Sequence, residues 1–330
     1  MIKRTFILAF LSLCTLGAAV SVLASGYQGR SASSQQPKTL YIVTTTAHLA
    51  DIVHNLDPGH IRVESLMGTG VDPHLYRPTS SDVIKLKKAD LVIYNGLHLE
   101  GRMVELLETL AQEKPAIAAA EQLPPGMLLE GPDNATDPHI WMSVPIWEAV
   151  TGIVTDTLIA HDPSYQDTYR QKAALYKGKL EKLDGWIKES VATIPKGNRV
   201  LITAHDAFGY FGDTYGLEVI GVQGLSTESE AGLQRIEALT DRLASEKIPA
   251  VFAESSLSDR NIKALINGAH QKGHTVARGD MLYSDALGQS GTVEGTYIGM
   301  MVHNVKTLTK SLGGKPPVFA LDNELALNAP

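Results

Sequence analysis

Short β-branched and aliphatic runs alternate with amphipathic stretches along most of this chain. Leu40 to Thr44 is strand-like, Ala47 to Leu56 is helical, and Ile61 to Leu66 is a second strand-like run. A helical segment at Ser81 to Lys88 follows, then the run Asp90 to Tyr94, a helical stretch from Leu99 to Gln112 and the apolar run Ala116 to Ala120. In the second half, Val200 to Ala204, Leu217 to Gly221, Ala250 to Glu254 and His274 to Ala277 read as strands. Helices near Gly232 to Ser245, Asp259 to Lys272 and Glu294 to Ser311 separate or follow them. Strands alternating with helices predict an α/β fold of parallel sheets covered on both faces.

The stretch from Pro163 to about Ile194 carries no strand signal. Tyr169, Ala173, Tyr176, Leu180, Leu183, Ile187 and Val191 recur at three and four residues, which predicts one apolar stripe on one long helix. At the usual rise per residue it is about 45 Å long, with Pro163 suited to its first turn and Pro195 ending it. The expected organisation is an N-terminal lobe over 38–162, a rigid linker helix over 163–194 and a C-terminal lobe over 195–330. A helix of that length spanning both lobes disfavours large hinge motion.

The amino terminus has a different pattern. Lys3 and Arg4 precede an apolar run from Phe6 to Leu23, and Val22-Leu23-Ala24 offers small or apolar residues for cleavage. Residues 1–24 therefore read as a signal peptide, with an uncleaved membrane anchor as the alternative. Residues 25–37, rich in Ser, Gln and Gly, read as a flexible tether. Cys14 is the only cysteine, and Leu13 before it disfavours lipid attachment there. The mature chain thus lacks disulfides and thiolate ligands, so any metal must be held through nitrogen and oxygen.

Bulk composition narrows the function class. With 330 residues and 44% hydrophobic content, the chain can fill two ordinary cores. A formal net charge of -7 argues against nucleic-acid binding, which needs a clustered basic field.

Candidate chemistry sits in four separated contexts: Asp72-Pro73-His74-Leu75-Tyr76, Asp137-Pro138-His139-Ile140-Trp141, Thr203-Ala204-His205-Asp206 and Leu282-Tyr283-Ser284-Asp285-Ala286. An Asp-Pro-His-apolar-aromatic sequence occurs twice, and proline before each histidine restricts the backbone that presents the ring. His205 directly follows a predicted strand, and open α/β sheets present ligands from loops at the carboxyl ends of strands. Three imidazoles and one carboxylate suit a borderline divalent cation such as Zn²⁺ or Mn²⁺. Glu254, at another strand end, is expected behind the ligands, as is Asp206. Asp72, Asp137 and Asp206 are candidates to accept the second ring proton of a ligating imidazole. A lone histidine is more often structural. Accordingly His48, His54, His60, His98, His161, His270 and His274 are read as surface or helix-end residues, and His303 as facing the core.

No HExxH helix, GxSxG elbow, Walker loop or strand-linked GxGxxG is present. Three further stretches carry a family resemblance: His205-Asp206-Ala207-Phe208-Gly209-Tyr210-Phe211, Gly224-Leu225-Ser226-Thr227-Glu228-Ser229-Glu230, and Leu282-Tyr283-Ser284-Asp285-Ala286-Leu287-Gly288 with Gly295-Thr296-Tyr297 beyond. From about Lys38 to Gly313 the chain resembles the metal-specific solute-binding proteins of ABC importers, the cluster A-I or TroA-like family. The resemblance implies two (β/α) lobes joined by one long helix and a metal in the cleft between them. It also implies a membrane permease as recipient, and ligands at His74, His139, His205 and Asp285.

Two departures bear on the metal. Manganese and iron carriers of the family often have Glu where this chain has His205. Many zinc carriers have a His-rich loop where Glu121 to Asp137 contains no histidine. The expected function is therefore an exported, monomeric, non-enzymatic receptor that delivers Zn²⁺ or Mn²⁺, with Fe²⁺ a third candidate, to an ABC importer permease. The alternatives are a secreted metallohydrolase with Glu254 as general base and a metal-stabilised adhesin.

Overall fold

The structure, a computed structural model, describes residues 39–322 and 324. The expected signal peptide and most of the chain before Leu40 lie outside the described residues. β1 (Leu40–Thr44) pairs in parallel with β2 (Ile61–Ser65) and with β3 (Leu91–Tyr94), and β3 pairs with β4 (Ala116–Ala118), giving the order β2-β1-β3-β4. Three helices connect these strands: α1 (Ala47–Leu56), α2 (Ser80–Lys88) and α3 (Val104–Glu113). Local chemistry sets their starts. Thr46 accepts the Leu49 N–H at the head of α1, and Thr79 and Asp82 form a reciprocal capping box on α2.

Two helices lead into the second lobe, α4 (Val144–His161) and α5 (Gln166–Ala192). The second lobe begins with β5 (Val200–Thr203), α6 (Gly209–Tyr215) and β6 (Glu218–Gly221), with β5 and β6 paired in parallel. It continues through α7 (Leu233–Glu246), β7 (Ala250–Val251), α8 (Arg260–Gln271), β8 (Ala277–Arg278) and α9 (Tyr297–Ser311), with β7 and β8 parallel. A bridge between Thr203 and Phe252 joins the two ladders. The fold is thus two parallel-sheet α/β lobes, as the alternating pattern predicts.

Several elements differ from the sequence expectation for identifiable reasons. The run Ala250 to Glu254 forms only two residues of regular strand because its partners change. Val251 pairs with Arg278, Phe252 bridges Thr203 and Glu254 bridges Leu282. The strand expected from His274 begins at Ala277, because the His274 N–H bonds to Ala269 O at 2.9 Å and Gly273 turns left-handed (φ +78°), ending α8. The long helix opens with a 3₁₀ turn, Pro163–Tyr165, before α5. At 27 residues α5 spans about 40 Å. All seven residues of its predicted stripe are buried.

Through that stripe α5 packs on α1, α4, α6 and α9. One continuous core follows, holding Ile52 of α1, Trp147 of α4, Leu180 of α5, Phe211 of α6 and Met301 of α9. Burying each such side chain contributes about 1.5–3 kcal/mol. The lobes therefore share packed apolar surface and are not joined by a bare hinge. Among the described residues no helix is long and apolar enough to cross a membrane.

Candidate metal centre

In each sheet the strand order reverses at one point, between β1 and β3 in the first lobe and between β5 and β7 in the second, where loops diverge and leave a crevice at the strand ends. The four candidate side chains, carried by loops that follow β2, β4, β5 and β8, converge in space. One donor atom from each of His74, His139, His205 and Asp285 lies within 4.8 Å of all the others, and all four residues are buried. His74 Nε2 is 3.3 Å from His139 Nε2. Asp285 Oδ2 is 3.2 Å from His205 Nε2 and 3.9 Å from His74 Nε2, and its Oδ1 is 3.5 Å from His139 Nε2. Donors about 2.1 Å from a tetrahedral Zn²⁺ stand about 3.4 Å apart, so this spacing suits one small cation.

The repeated Asp-Pro-His sequence makes the same local device twice. Asp72 Oδ1 accepts the His74 N–H at 2.9 Å, and Asp137 Oδ1 accepts the His139 N–H at 2.9 Å. Each aspartate closes a short turn onto the residue two positions on, with proline fixing the backbone between. Thereafter the repeats diverge. Asp137 Oδ1 also lies 2.7 Å from His139 Nδ1 and so holds the ring, whereas Asp72 sends Oδ2 to the Thr227 hydroxyl at 2.6 Å. His205 is fixed by Glu254, whose Oε1 accepts its N–H at 2.8 Å and whose Oε2 lies 2.6 Å from Nδ1. With Nδ1 facing a carboxylate, Nε2 of His139 and of His205 is directed to the shared centre.

Asp206 stands apart. Its N–H bonds to Gly224 O, and none of the described hydrogen bonds joins its carboxylate to an imidazole. Its pKa is raised by burial and by nearby Asp137. Of the three aspartates considered for the second ring proton, only Asp137 meets a ring nitrogen, and Glu254 does so for His205.

Electrostatics in the cluster are uneven. Burial lowers the His74 pKa to about 3 despite the nearby Asp285 carboxylate. Burial also disfavours charge on His205, yet Asp285 and Glu254 together carry its pKa well above the usual imidazole value. Asp285 is pushed up by burial but held well below the normal carboxylate range by His205, then His139 and His74. Neither Asp285 oxygen, nor His205 Nε2, has a hydrogen-bond partner among the described residues; His205 Nδ1 and Glu254 Oε2 lack hydrogen-bond geometry too, though they face each other as a close ionic contact at 2.6 Å. A buried carboxylate without donors is costly unless a cation meets it, so this donor set fits a metal.

Some supporting residues carried no expectation. Glu100 is buried after β3 and accepts from the Thr45 hydroxyl (2.7 Å), the Asn95 N–H (2.7 Å) and the Gly96 N–H (3.1 Å). Asn95 in turn donates to Pro138 O at 3.0 Å, bracing the His139 loop. Trp141 meets His139 edge-on and donates to Ser284 O at 2.8 Å, linking the two lobes beside Asp285. His48 reverses its expectation. It is fully buried and stacked on Trp141, with both ring nitrogens unpartnered among the described residues and its pKa lowered to about 3 by burial. His303, expected to face the core, is instead half-buried at the surface with Nε2 2.9 Å from Met281 O.

Residues 42–311 match the family model ZnuA, described as zinc-uptake complex component A, periplasmic. The chain belongs to that family. It is 46% identical over 285 residues to the manganese-binding lipoprotein MntA of Bacillus subtilis, a match covering 86% of this chain and 92% of that one. It is 41% identical over 271 residues to the zinc-binding protein TroA of Treponema pallidum, covering 82% and 88%. The solved structure of periplasmic zinc-binding TroA from Treponema pallidum superposes with a TM-score of 0.81 over 83% of this chain and 99% of that one. The family resemblance read from the motifs is therefore correct.

Proposed function

We propose that this chain captures a divalent transition-metal ion at His74, His139, His205 and Asp285 and delivers it to the permease of an ABC importer. Zn²⁺ and Mn²⁺ are the cargo candidates, since similar proteins are named for each, and Fe²⁺ is a third because a 30% identical protein of Yersinia pestis is named iron-binding. Among metals offered to one N/O site, Zn²⁺ binds more tightly than Mn²⁺. The reading includes a monomer acting outside the cytoplasm, with residues 1–24 as signal peptide and 25–37 as tether. It divides the remainder into a lobe over 38–162, a linker helix over 163–194 and a lobe over 195–330.

One observation carries the proposal: four buried donors converge, and the carboxylate among them has no hydrogen-bond donor of its own among the described residues. The hydrolase alternative fares worse. Glu254 Oε1 accepts the His205 N–H and Oε2 lies 2.6 Å from His205 Nδ1, so its carboxylate faces a proposed ligand, and the matched relatives are named as binding proteins. Against an adhesin, the similar proteins MntA and TroA are named for metal binding.

Metal-free protein titrated with Zn²⁺ should take up one ion per chain and gain melting temperature, since a ligand of the folded state stabilises it. His139→Ala should lose most of that gain. Uptake and stabilisation unchanged in the variant would remove His139 from the ligand set.

A further inference from the structure

The segment between β6 and α7 touches the first lobe at Gly131, Arg102 and Asp72. A Cβ on Gly131 would lie 2.3 Å from Leu225 Cδ1, so backbone and side chain meet there as closely as glycine permits. Glu228 Oε1 pairs with Arg102 Nε at 2.9 Å, both about half exposed. Between them Thr227, nearly fully buried, donates its hydroxyl to Asp72 Oδ2 at 2.6 Å. The other oxygen of the same carboxylate holds the His74 N–H. Asp72 and Thr227 both line a cavity of about 350 Å³.

We propose that Thr227 is a positioning residue: through Asp72 it ties closure of the second-lobe segment to the placement of His74, and so sets how fast the captured metal leaves. The inference rests on the metal-capture reading above. His139 and His205 each have a carboxylate against Nδ1 that does not depend on this segment. His74 is the ligand whose local turn is completed by a carboxylate shared with the opposite lobe. When the segment lifts, Asp72 loses its Thr227 partner and becomes free to hydrate and rotate away from the His74 N–H. The loop alone needs to move, so the shared core around α5 is no obstacle. Entry starts from the lifted state, and the bond therefore acts on departure more than on arrival. The Arg102 and Glu228 pair, exposed to water, adds little to this hold.

Zn²⁺-loaded protein is mixed with excess chelator in a stopped-flow instrument, and metal release is followed for wild type, Thr227→Val, Thr227→Ala and Thr227→Ser. Loss of a buried hydrogen bond to a charged acceptor should accelerate release roughly tenfold in the Val and Ala variants. Thr227→Ser, which keeps the hydroxyl, should stay near wild type. Asp72→Asn is measured alone and combined with Thr227→Val, and the double variant should release no faster than the faster of the two singles, because Thr227 acts only through the Asp72 side chain. Wild-type release rates in both Val and Ala variants overturn the proposal. So does a Ser variant as fast as Val, which would make methyl packing the cause, or single effects that multiply in the double variant. If folded wild-type protein takes up no Zn²⁺ at all, the functional reading fails and this inference with it. Stoichiometric uptake with unaltered release in the variants defeats this inference alone.

Discussion

Asp285 in the cleft and Asp51 in the α1–α5–α9 interface are both buried carboxylates, yet their surroundings push them in opposite directions. Asp51 accepts hydrogen bonds from the Tyr176 hydroxyl at 3.0 Å and the Asn55 amide at 3.3 Å, and burial still raises its pKa to about 6. Asp285 has no such donors among the described residues but faces three imidazoles and is held well below the normal range. At Asp51 the hydrogen bonds it accepts and a nearby Lys179 do not offset the cost of burial, whereas at Asp285 the facing imidazoles more than offset it. The same contrast separates His205, backed by Glu254, from His74, which has no carboxylate against its ring nitrogens closer than the 3.9 Å to Asp285. The donor set of the cleft fits a cation, and on the proposed reading proton and metal compete for His205.

The largest effect should come from deleting the charge that defines the cleft. Asp285→Ala leaves three imidazoles whose attraction to a dication is no longer supported by any of the four donors' charge. Stranding one side of a buried charged contact costs about 3–5 kcal/mol. Zn²⁺ affinity, measured by competition with a chromophoric chelator, should fall by at least roughly a hundredfold. A loss of under about threefold would mean that Asp285 does not touch the metal.

Glu254→Gln tests the difference between the two imidazoles. Its carboxylate raises the His205 pKa and directs Nε2 inward, and loss of such a support lowers metal affinity by about 10–100-fold. The sign of the pH dependence follows from the directions. His205, with its pKa raised, carries a proton at neutral pH that the metal must displace, so affinity rises with pH across that range. His74, with its pKa near 3, is already neutral and contributes no slope there. Wild-type affinity should therefore climb by up to about tenfold per pH unit between about pH 6 and 8, one proton leaving per ion. In Glu254→Gln the climb should be shallower, because His205 gives up its proton at lower pH. Equal slopes would show that Glu254 does not govern the His205 proton.

Much of this site was legible in the sequence, and the parts that were not share a cause. The doubled Asp-Pro-His sequence marked His74 and His139, because a carboxylate that caps a turn two residues on works with any histidine placed there. His205 was legible from the strand before it. Asp285 has no comparable local signal: it was read as the carboxylate beside the three histidines, and the family motif reinforces it. Thr227, Asn95 and Glu100 act across long sequence separations, which periodicity does not register. His48 did leave a trace: it shares a helical face with Ile52 and Leu56 at spacings of four, which places it in the core. Helix α4 escaped because it is apolar nearly all round, so no polar stripe marks its period. The short β7 shows the opposite failure, since a run that changes partners reads as one strand.

Asp51→Asn should give the smallest effect, and it probes the side of the comparison that holds no metal. The folded-state pKa of Asp51 is raised from 3.8 to about 6, so the folded state prefers the protonated acid. Its contribution to stability is full below the unfolded value and is lost as pH rises through about 6. Above that, the ionised group costs roughly 3 kcal/mol, a figure that already includes the opposing Tyr176 bond and nearby Lys179. Asparagine is neutral at every pH and keeps an acceptor for the Tyr176 hydroxyl. The variant should therefore melt a few degrees higher than wild type at pH 8 and about equal to it at pH 4, with Zn²⁺ affinity unaltered. Equal melting temperatures at pH 8 would mean that Asp51 stays ionised there at no cost. The distinction drawn between the two buried carboxylates would then fail at its simpler end.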